Sequence, residues 1–104
     1  PTVKYSPDSV TSFTLNGRVY VAATLRYAGA VIIYDVTTPS APVFELITRA
    51  GQNDVVNDGI CKEASKTSRV YPEGITSAVF DSSVYIWVAN EGDDTVSSLK
   101  IETR

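Results

Sequence analysis

Acidic and amide side chains flank two strand-like segments near the C-terminal end of the 104-residue sequence. Glu73 precedes the segment Ile75–Phe80, and Asn90 and Glu91 follow the segment Val84–Ala89. Carboxylate and amide oxygens suit a hard cation such as Ca²⁺, which takes about six to eight oxygen ligands. Glu73, Asn90 and Glu91 are therefore candidate calcium ligands. We favour the other interpretation, in which Glu73 accepts hydrogen bonds from backbone N–H groups and fixes a turn.

Two further polar segments allow similar alternatives. The run Asn90–Asp94 resembles a calcium loop, but it lacks the ligand spacing and the distal Glu of an EF-hand. A solvated hairpin turn explains it better, because Gly92 is permissive and Asp residues favour turns. The segment Gly51–Ile60 repeats an Asn-Asp pair after four residues, and it could bind a cation or form a long connection.

The sequence contains no histidine and a single cysteine, Cys61. Without histidine, this chain cannot form Ser-His or Cys-His nucleophile pairs or most zinc and copper sites. An unpaired cysteine in a secreted protein suggests a disulfide with another chain, which is our prediction for Cys61. The alternative is a small buried hydrophobic residue.

Charge and hydropathy exclude several classes of partner. The net charge of −3 and the pI of about 4.7 argue against nucleic acid and anionic membranes. We predict no transmembrane segment, because no apolar run is long enough to span a bilayer. Hydrophobic residues make up 43% of the chain, which supports one packed domain.

The chain contains an internal repeat. The stretch from Pro7 to Val36 aligns without gaps with the stretch from Pro72 to Ile101, an offset of 65 residues. Each copy has three strand-like runs separated by turn residues such as Asn16-Gly17, a strong hairpin signal. The predicted strands are Val10–Leu15, Arg18–Leu25, Ala30–Val36, Val43–Ile47, Ile75–Phe80, Val84–Ala89 and Thr95–Ile101.

This pattern predicts an all-β fold made of about two four-stranded antiparallel blades of a β-propeller. The first blade covers residues 7–50, a connecting loop covers 51–71, and the second blade covers 72–104 and lacks its outer strand. Two blades cannot close a ring, so we expect a piece of a larger propeller of seven blades. Tyr20, Tyr85 and Trp87, at strand centres, should pack between blades. The alternative is a self-contained seven-stranded β-sandwich.

Several motifs, in order, resemble the choice-of-anchor I domain, the β-propeller of mesenchyme-specific cell-surface glycoproteins. They are Gly29–Val36, Thr38–Phe44, Pro72–Gly74, Val88–Gly92 and Thr95–Ser97. The resemblance covers nearly the whole chain and implies an extracellular, secreted or cell-surface location. One departure is Arg26, because the family tends to have an acidic residue at this position. The repeat aligns Arg26 with Glu91. That difference puts a shared acidic site in doubt.

These observations favour a non-enzymatic extracellular module for binding or structure, with a candidate calcium site, inside a larger assembled or proteolytically processed propeller. One alternative is a secreted metal-dependent phosphoester hydrolase of the phytase-like propeller type. Another is a carrier of an apolar small molecule. The partners should be other chains or segments that complete the propeller. We expect them to meet the unpaired edge of the last strand, at Thr95, Val96, Leu99 and Ile101.

Overall fold

A computed structural model describes residues 6–50 and 70–102. These residues form seven β-strands and no helix. The strands are β1 (Pro7–Leu15), β2 (Arg18–Leu25), β3 (Ala30–Asp35), β4 (Val43–Arg49), β5 (Pro72–Phe80), β6 (Ser83–Asn90) and β7 (Thr95–Glu102). The prediction of an all-β fold is confirmed. The predictions for Cys61 and for the segment Gly51–Ile60 lie outside the described residues.

The strands form two antiparallel sheets in which sequence neighbours are also spatial neighbours. The first sheet has the order β1-β2-β3-β4, and the second has the order β5-β6-β7. The predicted Asn16-Gly17 hairpin is present, with Leu15 paired to Arg18. Both turn residues have positive φ, 51° for Asn16 and 79° for Gly17. Positive φ at both central positions is the pattern of a type I′ turn, which matches the twist of the flanking strands.

The repeat extends to the details of the backbone. A register shift lies between Pro7 and Val10 in β1, and an equivalent shift lies between Pro72 and Ile75 in β5. Left-handed residues occur in three pairs at the same 65-residue spacing: Ser6 with Tyr71, Asn16 with Asp81, and Gly29 with Asp94. The two copies therefore share one topology over three strands, β1-β2-β3 in the first sheet and β5-β6-β7 in the second.

The two sheets pack against each other around one hydrophobic core, with β1 close to β5. The first sheet and the residue that follows it contribute Phe13, Leu15, Ala22, Val31, Ile33 and Ala50, and the second sheet contributes Val84, Ile86 and Val88. Polar contacts also cross between the sheets. The buried Thr24 hydroxyl donates to the Glu73 carbonyl at 3.0 Å and accepts from the Ser9 N–H at 3.0 Å.

The sheets pack head to tail, so that opposite faces of the two copies meet. Val31 lies in the core, but its repeat equivalent Val96 points away from it. Conversely, Val84 lies in the core and its equivalent Val19 points away. Alternate residues of a strand point to opposite faces, so this difference applies to the whole sheet. We call the face of each sheet that meets the other sheet its packed face, and the opposite face its free face.

The aromatic residues predicted to pack between blades lie on both kinds of face. Tyr20 lies on the packed face of the first sheet, stacked on Phe13 at 5.4 Å between ring centroids. Tyr85 and Trp87 alternate with core residues of β6, so they lie on the free face of the second sheet, stacked on each other at 6.0 Å. Tyr20 therefore packs against the core between the sheets, and packing between blades stays a prediction for all three residues.

Candidate functional site

The predicted ligands Glu73 and Glu91 come together at one end of the two sheets, where Arg26 joins them. Arg26 follows β2, Glu73 lies at the start of β5, and Glu91 follows β6. The Arg26 Nε–H donates to Glu73 Oε2 at 3.0 Å, and its Nη2–H donates to Glu91 Oε1 at 2.9 Å. One guanidinium from the first sheet therefore binds two carboxylates of the second.

Two tyrosine rings complete this cluster. The Arg26 guanidinium carbon lies 4.6 Å from the centre of the Tyr71 ring and 5.4 Å from the centre of the Tyr27 ring. The two rings meet edge to face at 5.8 Å. A cation over an aromatic face is attracted by the ring quadrupole, so the rings help to hold the guanidinium. We call Arg26, Tyr27, Tyr71, Glu73 and Glu91 the Arg26 cluster.

Backbone hydrogen bonds position the cluster. The Glu91 N–H donates to the Tyr71 carbonyl at 3.0 Å, and the Gly92 N–H donates to the Val70 carbonyl at 2.8 Å. Both bonds hold the chain before β5 against the chain after β6. Tyr71 has a φ of 49°, in the left-handed region that non-glycine residues rarely adopt.

Hydrogen bonds within the cluster shift the pKa values of two of its members, Glu91 and Arg26, toward the ionised forms. Hydrogen bonds with the Glu73 carboxyl and with Arg26 lower the pKa of Glu91. Hydrogen bonds to Glu91 and Glu73 raise the pKa of Arg26. The arrangement is therefore an ion-paired contact between two sheets at neutral pH.

Asn90, the third predicted ligand, is buried beside this cluster. Its Nδ2 donates to Thr95 Oγ1 at 3.1 Å and to Ser97 Oγ at 2.7 Å, which ties β6 to β7. Its Oδ1 is buried and has no hydrogen-bond partner among the described residues. A buried amide oxygen without a donor can bind a cation such as Ca²⁺.

Calcium does not fit the three residues as they are arranged. Both carboxylates already accept from Arg26, and a divalent cation between them would lie against a guanidinium charge. No group of three or more acidic, cysteine or histidine side chains within residues 6–50 and 70–102 is arranged to hold a metal ion. A calcium ion would have to displace Arg26 from Glu73 and Glu91.

The Asn90–Asp94 segment forms the connection between β6 and β7. The Thr95 hydroxyl donates to Asp93 Oδ1 at 2.6 Å, and Asp94 has a φ of 57°. Asp tolerates the left-handed region better than most residues and often stabilises turns through its side chain. These contacts favour the hairpin-turn interpretation of this acidic run.

A further ion pair lies within the first sheet and was not predicted from the sequence. Asp35, at the end of β3, is buried and accepts from Arg18 Nε at 2.6 Å and from the Thr37 N–H at 2.9 Å. Hydrogen bonds from Thr37 and from Arg18 lower the pKa of Asp35 to about 2. The signal available in the sequence was a lone acidic residue at the end of an apolar run.

The predicted interface residues of β7 divide between the two faces. Leu99 and Ile101 are half-buried and pack against the core between the sheets. Val96 lies on the free face and is 71% exposed. The exposed Thr95 bonds within the turn. Among these four residues of β7, Val96 is thus the apolar residue whose side chain is largely exposed to solvent.

A scan against protein-family models, a search of curated proteins and a search of solved structures each find no match. No helix in the described part of the chain is long and apolar enough to cross a membrane.

Proposed function

We propose that this chain is a non-enzymatic structural or binding module, built as two adjacent blades of a β-propeller. Further sheets, from other chains or from other segments, complete the assembly. The main support for this proposal is the head-to-tail packing, in which opposite faces of the two repeats meet. Contacts of this kind leave one complementary face open at each end, and they close only in a ring.

The free faces carry residues whose repeat equivalents are buried. Val96 is 71% exposed, whereas its equivalent Val31 is fully buried between the sheets. Val10 is 62% exposed, whereas its equivalent Ile75 packs against the core. Each free face therefore has the character of a packed face without its partner. Exposed apolar surface of this extent is typical of an interaction site.

The Arg26 cluster supports a structural role for the acidic residues. Hydrolysis by a metal-dependent propeller requires carboxylates that converge on open coordination positions. Here Glu73 and Glu91 are both bound to Arg26. Extracellular location is part of the proposal and rests on the resemblance to the choice-of-anchor I domain. Calcium binding is not part of the proposal, because it would require Arg26 to leave Glu73 and Glu91.

The test uses a second copy of the chain in place of the missing sheets. One variant carries Val10→Lys and Val19→Lys on the free face of the first sheet. The other carries Phe80→Lys and Val96→Lys on the free face of the second sheet. All four side chains are exposed, so the substitutions leave the core between the sheets intact.

Sedimentation velocity distinguishes the outcomes. Head-to-tail packing predicts concentration-dependent association of the unmodified chain and much weaker association of each variant alone. A mixture of the two variants should form a one-to-one dimer, because one intact face of each type remains. A well-folded monomer that neither associates nor responds to these substitutions would contradict the proposal and support the seven-stranded β-sandwich.

A further inference from the structure

We infer that the outer edge of β7 binds an extended strand whose apolar side chains turn toward the first sheet, as a fourth strand of the second sheet. The inference rests on the proposed function, because it specifies one partner segment of the assembly. Its occupant is a strand with apolar residues at the positions equivalent to Phe44 and Ile47 of β4.

The first observation is the unequal pairing of equivalent strands. β3 is hydrogen-bonded to β2 on one side and to β4 on the other. Its repeat equivalent, β7, is paired only with β6 among the described residues. A strand edge with unpaired N–H and C=O groups is a template for the addition of another strand.

The second observation is independent and concerns the opposite sheet. In β4, Val43 pairs with Asp35 and Leu46 pairs with Ile33, so both lie on the packed face of the first sheet. Val31 and Ile33 on that face are covered by the second sheet, but Val43 is 54% exposed and Leu46 is 37% exposed. The packed face of the first sheet thus extends one strand further than the second sheet covers.

The repeat defines the chemistry of the missing strand. Phe44 and Ile47 pair with Tyr34 and Ile32 of β3. The 65-residue equivalents of Tyr34 and Ile32 are Leu99 and Ser97, which lie on the packed face of the second sheet. A β4-like strand beside β7 would therefore direct its Phe and Ile side chains toward Val43 and Leu46. The site is continuous with the existing core between the sheets.

The experiment appends a copy of residues 40–49, Ser-Ala-Pro-Val-Phe-Glu-Leu-Ile-Thr-Arg, directly after Arg104. This attachment keeps the 65-residue spacing of the repeat. A matched control carries Asp in the copy at the equivalents of Phe44 and Ile47, the side chains expected to face the first sheet. A second control carries Asp at the equivalents of Val43 and Leu46, which are expected on the free face.

The extended chain should show a thermal midpoint about 10 °C or more above that of the original chain, because two large apolar side chains become buried. Backbone amides of Thr95–Glu102 should become more protected from hydrogen exchange. The first control should lose both effects, and the second should keep most of them. Equal behaviour of the two controls, or no gain in the extended chain, would overturn the inference.

The readout separates this inference from the proposed function. Strand addition is measured within one chain, by the contrast between the two controls. The head-to-tail proposal is measured between chains, by the dimer of complementary variants. If the original chain lacks a cooperative transition, the difference in thermal midpoint between the two extended controls still tests whether the strand adds in the expected orientation.

Discussion

Arg26 joins the two sheets through two ion pairs that differ in exposure. The side chain of Glu73 is 37% exposed and that of Glu91 is 61% exposed. Solvent and salt screen the more exposed pair more strongly. We therefore expect Glu73→Gln to lower the thermal midpoint by a few degrees and Glu91→Gln to lower it less. Thermal denaturation followed by circular dichroism measures both midpoints. The protein concentration is kept constant, because association also contributes to stability.

Arg26→Lys provides the matched control for the cluster. Lysine keeps the charge but lacks the planar fork that binds two carboxylates at once. It should recover only part of the stability that Arg26→Met loses. Equal midpoints for the original protein and Arg26→Met would show that the cluster contributes nothing to stability.

The occupation of Glu73 and Glu91 by Arg26 also predicts the response to calcium. We expect that EDTA changes the thermal midpoint at most modestly and that added Ca²⁺ does not raise it, since both carboxylates are already bound to Arg26. Thermal denaturation with EDTA, and then with excess Ca²⁺, measures this. A large drop in EDTA that Ca²⁺ reverses would establish a metal site that stabilises the folded state.

Asp35 predicts a pH dependence at the low end of the range. Its pKa in the folded protein is about 2, below the ordinary value of 3.8. A lowered pKa means that the ionised form stabilises the fold. This stabilisation is complete above about pH 5 and is lost as the pH falls toward 2. Asp35→Asn should lower the thermal midpoint at pH 7 and flatten its dependence between pH 4 and 2. An unchanged slope would show that Asp35 is not the responsible group.

At the scale of strands, the sequence predicted the elements well because their signals are local. Each strand came from a β-branched or aromatic run bounded by turn residues, and each observed strand contains most of its predicted run. The Arg26 cluster could not be predicted in the same way. Arg26 and Glu91 were aligned by the repeat, but contact between them depends on which faces of the sheets meet. The position of Asp35 at a buried strand end likewise depends on tertiary packing.

Two turn glycines test whether the left-handed positions are structural requirements. Gly17 has a φ of +79°, and a Cβ added there would have no atom within 4 Å. Gly29 has a φ of +65°, and a Cβ added there would lie 3.3 Å from Val70 Cγ2. Left-handed backbone costs an L-residue about 1 kcal/mol. Gly17→Ala should therefore lower the free energy of unfolding by about that amount, and Gly29→Ala by more, because Val70 must also shift. Urea denaturation measures both losses of unfolding free energy. Equal losses would mean that Val70 shifts without a measurable cost.

At the scale of the whole molecule, head-to-tail packing explains what the sequence left open. The runs "VIIY" and "VYIWVA" are apolar at almost every position, which is typical of strands covered on both faces. The sequence therefore predicted more coverage than two sheets can give each other. It did not identify the uncovered faces. The structure does so, through pairs such as exposed Val96 and buried Val31.

The free faces lead to a final prediction, that this chain at low concentration does not form a stable monomer. At about 25 cal/mol per Å², several hundred Å² of uncovered apolar surface forfeits on the order of 10 kcal/mol of stabilisation. That loss is comparable with the entire stability of a small domain. The outer edge of β7 also presents backbone N–H and C=O groups that can pair with another strand. We therefore expect residues 1–104 alone to show weak near-UV dichroism when dilute, and to gain near-UV signal and sedimentation coefficient together as concentration rises. A dilute, soluble monomer with strong near-UV dichroism and a sharp thermal transition would refute the prediction, and it would show that the two sheets form a self-sufficient sandwich.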